Sequence, residues 1–380
     1  MIYLDYNATT PVDPAVAEAM LPWLREHHGN PSSTHALGKL AHEAVEKGRA
    51  QVAALLGAKP GEIVFTGGGT EASNAAIKGV FFHRQRGGLG GLLSRLFKSG
   101  GHFVTSAIEH PATAEPLRFL AGLGCRVTTL PVDRFGLVDP DAVRRAITGA
   151  TMLVSIMHSN NEVGTLQPIR EIGAICRERG VLFHADAAQS LGKVQVDVEG
   201  LNVDLLTVAG HKLYAPKGIG ALYVRAGTLL APLLHGAGHE GGRRAGTENV
   251  PYIVGLGEAC AIARRTLPEA GEKLKALRDR LWDRLRGGRV VLNGHPEKRL
   301  PNTLNVGFEG KVGAELLASL PGLAASTGSA CHEGRMSQSP VLCAMGVPMT
   351  HGAVRLTVGR FTTEDEVDQA TQMLASAAAR

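Results

Sequence analysis

Val181-Leu182-Phe183-His184-Ala185-Asp186-Ala187-Ala188-Gln189 is an apolar run that closes on a carboxylate, and Val208-Ala209-Gly210-His211-Lys212 closes a second such run on a lysine. Short apolar runs bounded by small and polar residues read as buried strands. An unpartnered carboxylate at the enclosed end of a strand is costly, so Asp186 needs a cation beside it. A lysine in a similar place tends to lose its proton and become a nucleophile. Working outward, Ile63-Val64-Phe65, Phe103-Val104 and the runs 126–130, 152–157, 205–208 and 221–224 read as further strands, with helices between several of them. This pattern predicts an α/β fold whose mostly parallel central sheet is covered by helices on both faces, with functional residues at the strands' C-terminal ends.

Helix signals frame these strands. Asp13-Pro14 is an N-cap followed by proline, and it opens a helix to about residue 26. A second helix runs from Ala36 to Leu56, where Gly57 ends it. Beyond Pro251 the rhythm changes to two long helices over 252–266 and 268–286, followed by weaker strands at 290–291, 304–308 and 354–358. The boundaries predict a large domain over 14–255 that holds the runs closing on Asp186 and Lys212, and a smaller α/β domain made of 1–13 and 256–380.

Composition excludes several classes. With 40 Lys+Arg against 35 Asp+Glu the net charge is +5, and the basic residues are scattered among acids, so no nucleic-acid partner is expected. The absence of a long apolar window or a leader-like start predicts a cytoplasmic chain with no membrane association. Five widely spaced cysteines with no CxxC pair indicate neither a disulfide framework nor a metal cage. The Gly-rich insert 87–100, around Leu92, Leu93, Leu96 and Phe97, reads as a surface excursion or a partner-binding loop.

Chemistry enters at Thr66-Gly67-Gly68-Gly69-Thr70-Glu71, between a strand and a helix. A glycine turn lets N–H groups approach an anion at a helix N-terminus, and the Thr70 hydroxyl adds a donor. The turn lacks the GxGxxG spacing of a dinucleotide site and the Gly-Lys-Ser/Thr of a P-loop. A phosphate cradle at Gly69 and Thr70, a buried carboxylate at Asp186 and a buried lysine at Lys212 together describe a site for pyridoxal 5'-phosphate. Lys212 holds its aldehyde, Asp186 keeps its ring nitrogen protonated, and the cradle takes its phosphate.

With these residues in place, the chain resembles the cysteine desulfurases, pyridoxal-phosphate enzymes of fold type I, and is similar to the selenocysteine lyases close to them. The likeness covers nearly the whole chain. It includes Tyr3-Leu4-Asp5-Tyr6-Asn7-Ala8-Thr9-Thr10, Gly29-Asn30-Pro31-Ser32-Ser33, Glu109-His110, Asn160-Asn161-Glu162, Gly246-Thr247-Glu248-Asn249, Gly328-Ser329-Ala330-Cys331 and Val354-Arg355-Leu356. The resemblance implies that His110 stacks on the cofactor ring and assists proton transfer. Asn161 and Gln189 hydrogen-bond around that ring, Gln189 to its phenolic oxygen, and His211 reaches the phosphate. It implies that Thr247 reaches the phosphate of a neighbouring subunit, so a homodimer shares its active sites. Arg355 binds the substrate carboxylate through its planar fork.

Cys331 lies in the small, polar run 326–334, which reads as a mobile loop. The implied reaction removes sulfur from L-cysteine, with Lys212 as base and Cys331 as the thiolate that receives the sulfur, giving L-alanine and a persulfide for a sulfur-acceptor protein such as an iron-sulfur scaffold. Cys343, among Val341, Leu342, Ala344 and Met345, reads as packing, as do Cys125, Cys176 and Cys260. Ala209 stands where many desulfurases carry a serine that donates to the phosphate. That departure, with the segments 330–332, 338–342 and 346–348, leaves L-selenocysteine open as the substrate. An aminotransferase on the same fold and a non-catalytic sulfur carrier compete with these readings.

Overall fold

The computed structural model describes residues 1–86, 100–327 and 339–379. Cys331 and the insert 87–99 lie outside the described residues. The central feature is a seven-stranded sheet of β2 (Ile63–Thr66), β3 (His102–Ser106), β4 (Arg126–Leu130), β5 (Thr151–Ser155), β6 (Leu182–Asp186), β7 (Leu205–Ala209) and β8 (Gly220–Val224), after a short β1 (Ile2–Tyr3) near the N-terminus. The spatial order is β2-β8-β7-β6-β5-β3-β4. Strands β7, β6, β5, β3 and β4 pair in parallel, while β8 runs antiparallel to both of its neighbours.

Alternation along each strand explains why both faces are covered. Phe65, Val104, Val154, Phe183, Leu206 and Tyr223 enter one apolar cluster, and their neighbours Val64, Phe103, Leu153, Leu205 and Leu222 enter another on the opposite face. The first cluster is closed by α1 (Pro14–Arg25) and α2 (Ala36–Leu56), the second by α3 (Gly69–Arg86) and the helix Pro111–Gly122. The caps are those the sequence signals: Asp13 accepts from the Ala15 N–H, and Gly57 ends α2 at φ 68°. All the parallel strands therefore deliver their C-terminal ends to one edge of the sheet.

A third cluster gathers Leu304, Val306, Val354, Leu356, Val367 and Leu374 with Ile2 and Leu4 of the N-terminal arm. Its three-stranded antiparallel sheet has β10 (Thr303–Glu309) between β9 (Val290–Asn293) and β12 (His351–Thr357). Strand β1 pairs in parallel with β11 (Leu323–Ala324).

Two expectations are corrected. Instead of separate helices over 252–266 and 268–286, one helix runs from Val250 to Leu285 with Pro268 inside it. Proline removes a single bond, the one to the Arg264 carbonyl, and both residues are exposed, so that carbonyl is open to solvent while burial on either side holds the helix together. Cys343 is exposed on the short helix Pro340–Ala344 rather than part of the core, whereas Cys125, Cys176 and Cys260 are buried.

Gly220 lies between β2 and β7, opposite Thr66 and Ala209. A Cβ there would stand 2.5 Å from the Val208 carbonyl oxygen and 2.8 Å from Gly68 Cα, both backbone atoms that cannot swing aside. Gly220→Ala is expected to cost about 1–3 kcal/mol of stability, read as a lower urea midpoint at unchanged m-value.

Candidate active site

The exits of β2, β3, β5, β6 and β7 surround one cavity of about 330 Å³. At the β2 exit the chain turns through Gly68 (φ 143°) and α3 begins at Gly69. The Gly67 N–H donates to Glu71 Oε2 (2.7 Å), and Glu71 Oε1 also accepts from Arg244 Nε (2.9 Å), so the turn is tied to the segment that carries Thr247. The first-turn N–H groups of α3 have no intrahelical acceptor, and with Gly69 and Thr70 on the cavity wall this end of the site favours an anion. Ala209 also lines the cavity and brings no hydroxyl.

Asp186, at the end of β6, is 7% exposed, and its Oδ1 accepts from the Ala188 N–H at 2.9 Å. It forms no ion pair among the described residues, and burial pushes its carboxyl above the usual range. Lys212 follows β7, and its Nζ donates to the carbonyls of Asn7 and Ala8, each at 2.6 Å. Burial, then the Arg355 charge, lower its pKa to about 8. An amine so placed is a base near neutrality.

His110 caps the helix Pro111–Gly122, its Nδ1 accepting the Ala112 N–H at 3.1 Å. That bond puts the proton of the neutral ring on Nε2. The ring is open to the cavity, yet the protein packed around it lowers its pKa, opposed by the Asp186 charge and aided by Lys212. Burial likewise lowers His211, to about 4, and its Nδ1 lies 3.2 Å from Thr9 Oγ1. Arg355, from β12, is buried on the cavity wall; Nη2 donates to Asp5 (2.7 Å) and Nη1 to the Asn161 carbonyl (3.0 Å).

The structure thus brings Gly69, Thr70, His110, Asn161, Asp186, Gln189, His211, Lys212 and Arg355 to one cavity. Thr247 is exposed and does not line it, and Cys331 lies outside the described residues. Sequence reasoning assigned no role to Asn7, Met157 or Ser159, which complete the wall. The motif around Asn7 was legible, but its fold-back onto residues 154 to 350 positions away was not. The residues present fit pyridoxal phosphate: a buried carboxylate lacking a cation, a lysine of depressed pKa and an anion-favouring helix start share one cavity.

The aminotransferase class-V profile matches residues 2–370. The chain belongs to this family. Pyridoxal phosphate is the cofactor of class-V aminotransferases, in agreement with the donor set. Among class-V relatives, the cysteine desulfurase IscS of Methanosarcina thermophila is 47% identical, over 98% of this chain and 91% of the relative. IscS 1 of Archaeoglobus fulgidus is 43% identical, over 98% of this chain and 96% of the relative. A solved NifS-like protein superposes at a TM-score of 0.89 with 37% identity, covering 100% of this chain and 98% of that one. SspA, solved in complex with cysteine, superposes at 0.81 with 37% identity, covering 96% of this chain and 100% of that one.

Beside His110, Glu109 Oε1 accepts from Ser106 Oγ (2.5 Å) and the Met157 N–H (3.0 Å), while Oε2 is buried without a partner among the described residues. Burial raises this carboxyl from 4.5 to about 8. Between those values the folded chain retains a proton that the unfolded chain releases, so this contribution to stability is full below pH 4.5 and is lost as pH rises to about 8. Glu109→Gln is expected to flatten that decline, measured as urea midpoints across the window.

Proposed function

We propose that this chain is a cysteine desulfurase, taking sulfur from L-cysteine to give L-alanine and a persulfide on Cys331. The observation that carries the reading is the single cavity in which Lys212, Asp186, His110, Gln189 and Thr70 converge from separate strand exits. Its close similarity to proteins named cysteine desulfurases over nearly its full length supports the substrate. When bound, pyridoxal phosphate supplies an electron sink and a carbonyl that takes the substrate amino group.

The chain's own residues do the rest. The start of α3, Thr70 and His211 would hold the phosphate; Asp186 would supply the counter-charge at the ring nitrogen, and Gln189 would donate to the phenolic oxygen. Arg355 offers its fork to the substrate carboxylate, which competes with Asp5 for it. Lys212, with its pKa of about 8, takes the Cα proton and returns a proton to the product. The Cys331 thiolate attacks the substrate sulfur, so that an S–S bond forms as the Cβ–S bond breaks and its electron pair leaves with alanine.

The reading extends to a cytoplasmic homodimer in which Thr247 serves the partner's site, and to an acceptor such as an iron-sulfur scaffold protein. It keeps the division into residues 14–255 and a smaller unit of 1–13 with 256–380, although the Val250–Leu285 helix crosses that boundary. Ala209 on the cavity wall favours keeping L-selenocysteine as the alternative substrate.

The test is turnover of the purified protein with L-cysteine and with L-selenocysteine, following alanine and the released sulfide or selenide. Alanine from cysteine supports the desulfurase, activity confined to selenocysteine supports the lyase, and a keto acid supports an aminotransferase. Lys212→Ala is expected to lower turnover by about 10²–10⁴-fold or more. Cys331→Ala should stop sulfide release; normal release by that variant would refute the persulfide step.

A further inference from the structure

Lys193 is 7% exposed, has no acidic partner among the described residues, and takes no part in the chemistry above. It follows Gln189 by four positions in the turn 188–193, where the Val194 N–H donates to the Ser190 carbonyl, so the two side chains lie on one side. Lys193 Nζ donates to Gln189 Oε1 (3.0 Å) and to Asn7 Oδ1 (3.2 Å). Gln189 Nε2 then donates to the Asn7 carbonyl (2.9 Å), the same oxygen that Lys212 Nζ reaches at 2.6 Å.

A carboxamide can present either end to its surroundings, and its two orientations differ little in shape. An amine removes that freedom. Charged or neutral, it has at least two N–H groups to give, and here they face two amide oxygens. Gln189 must turn Oε1 toward Lys193, which sends its NH2 group the other way. One of those hydrogens goes to Asn7, and the second is left for the cavity that Gln189 lines. Asn7 is fixed in the same manner: Oδ1 also accepts from Asn302 Nδ2 (3.0 Å), so Nδ2 is sent to the Asn161 carbonyl (3.2 Å) and Thr303 Oγ1 (2.9 Å).

We propose that Lys193 is a positioning residue that locks the Gln189 amide with its N–H toward the cofactor's phenolic oxygen. This rests on the reading of the cavity as a pyridoxal phosphate site. Without Lys193 the amide is free to present its oxygen to that anionic oxygen instead. Loss of a donor from an anion favours the protonated form, so the cofactor's visible absorbance band should titrate at higher pH.

The experiment is a pH titration of that band in the full-length holoenzyme for wild type, Lys193→Met, Gln189→Leu and the double variant, with thermal midpoints as a control for folding. The expected result is an upward shift of roughly half a unit or more in Lys193→Met, a similar shift in Gln189→Leu, and no further shift in the double variant, since one residue acts through the other. An unshifted midpoint in folded Lys193→Met, or shifts that add, would overturn the proposal. Should Lys193→Met not fold, Lys193→Gln, whose amide N–H can still meet Gln189 Oε1, is expected to keep the wild-type midpoint, and a shifted one would overturn the proposal. A wild-type chain with no visible band after addition of pyridoxal phosphate would refute the cofactor reading itself, and this inference with it.

Discussion

The polar saturation of Asn7 is the constraint on which the site depends. Its N–H donates to Thr357 Oγ1 and its side-chain NH2 to Thr303 and the Asn161 carbonyl; its side-chain oxygen accepts from Lys193 and Asn302, and its carbonyl from Lys212 and Gln189. One buried residue on the N-terminal arm thus joins two strands of the small sheet to the exits of β5, β6 and β7. Any partner lost there would leave a buried donor or acceptor unmade, which costs more than the bond itself contributes. The arm is therefore part of the floor of the cavity.

Around that node, charge is distributed unevenly, at a cost to the stability of the chain by itself. Lys193, Lys212 and Arg355 lie close enough that their charges oppose one another; burial, then Lys212 and Arg355, bring Lys193 to about 7. On the other side, burial raises both Asp186 and Glu109, and the Asp186 charge adds to the rise at Glu109. A ligand that brings an anionic phosphate, an anionic oxygen and a protonable ring nitrogen supplies the missing counter-charges at once. Residues that oppose one another alone become balanced around such a ligand.

Much of this was legible in the sequence because strand ends are punctuated there. The runs closing on Asp186 and Lys212, and the glycine turn before Thr70, located the edge of the sheet where the chemistry sits. Hidden were contacts that only the tertiary fold creates: Asn7 beneath Lys212, Asp5 on Arg355, Glu109 behind His110. Lys193 was hidden for a different reason. A lysine four residues after a glutamine on a turn looks like a solvated side chain until the neighbouring arm covers it. Pro268 misled in the opposite direction, since a local breaker was overridden by apolar burial on both sides of it.

The helix Val250–Leu285 buries Val250 to Ala263 in the cluster under the main sheet and Leu274 to Leu285 in the cluster of the small one. At 1.5 Å per residue, Leu285 lies about 26 Å along the axis from Pro268. This makes the helix a lever whose weakest point is near its middle. A bend of about 10° at Pro268 would carry the far end by roughly 4–5 Å, taking with it the strands on which Arg355 rides. Arg355 also serves as the mooring for Ser326, through paired backbone bonds at 2.6 and 3.3 Å. A small change in the curvature of one helix is thereby geared to the spacing between the Arg355 guanidinium on the cavity wall and the floor on which Lys212 stands.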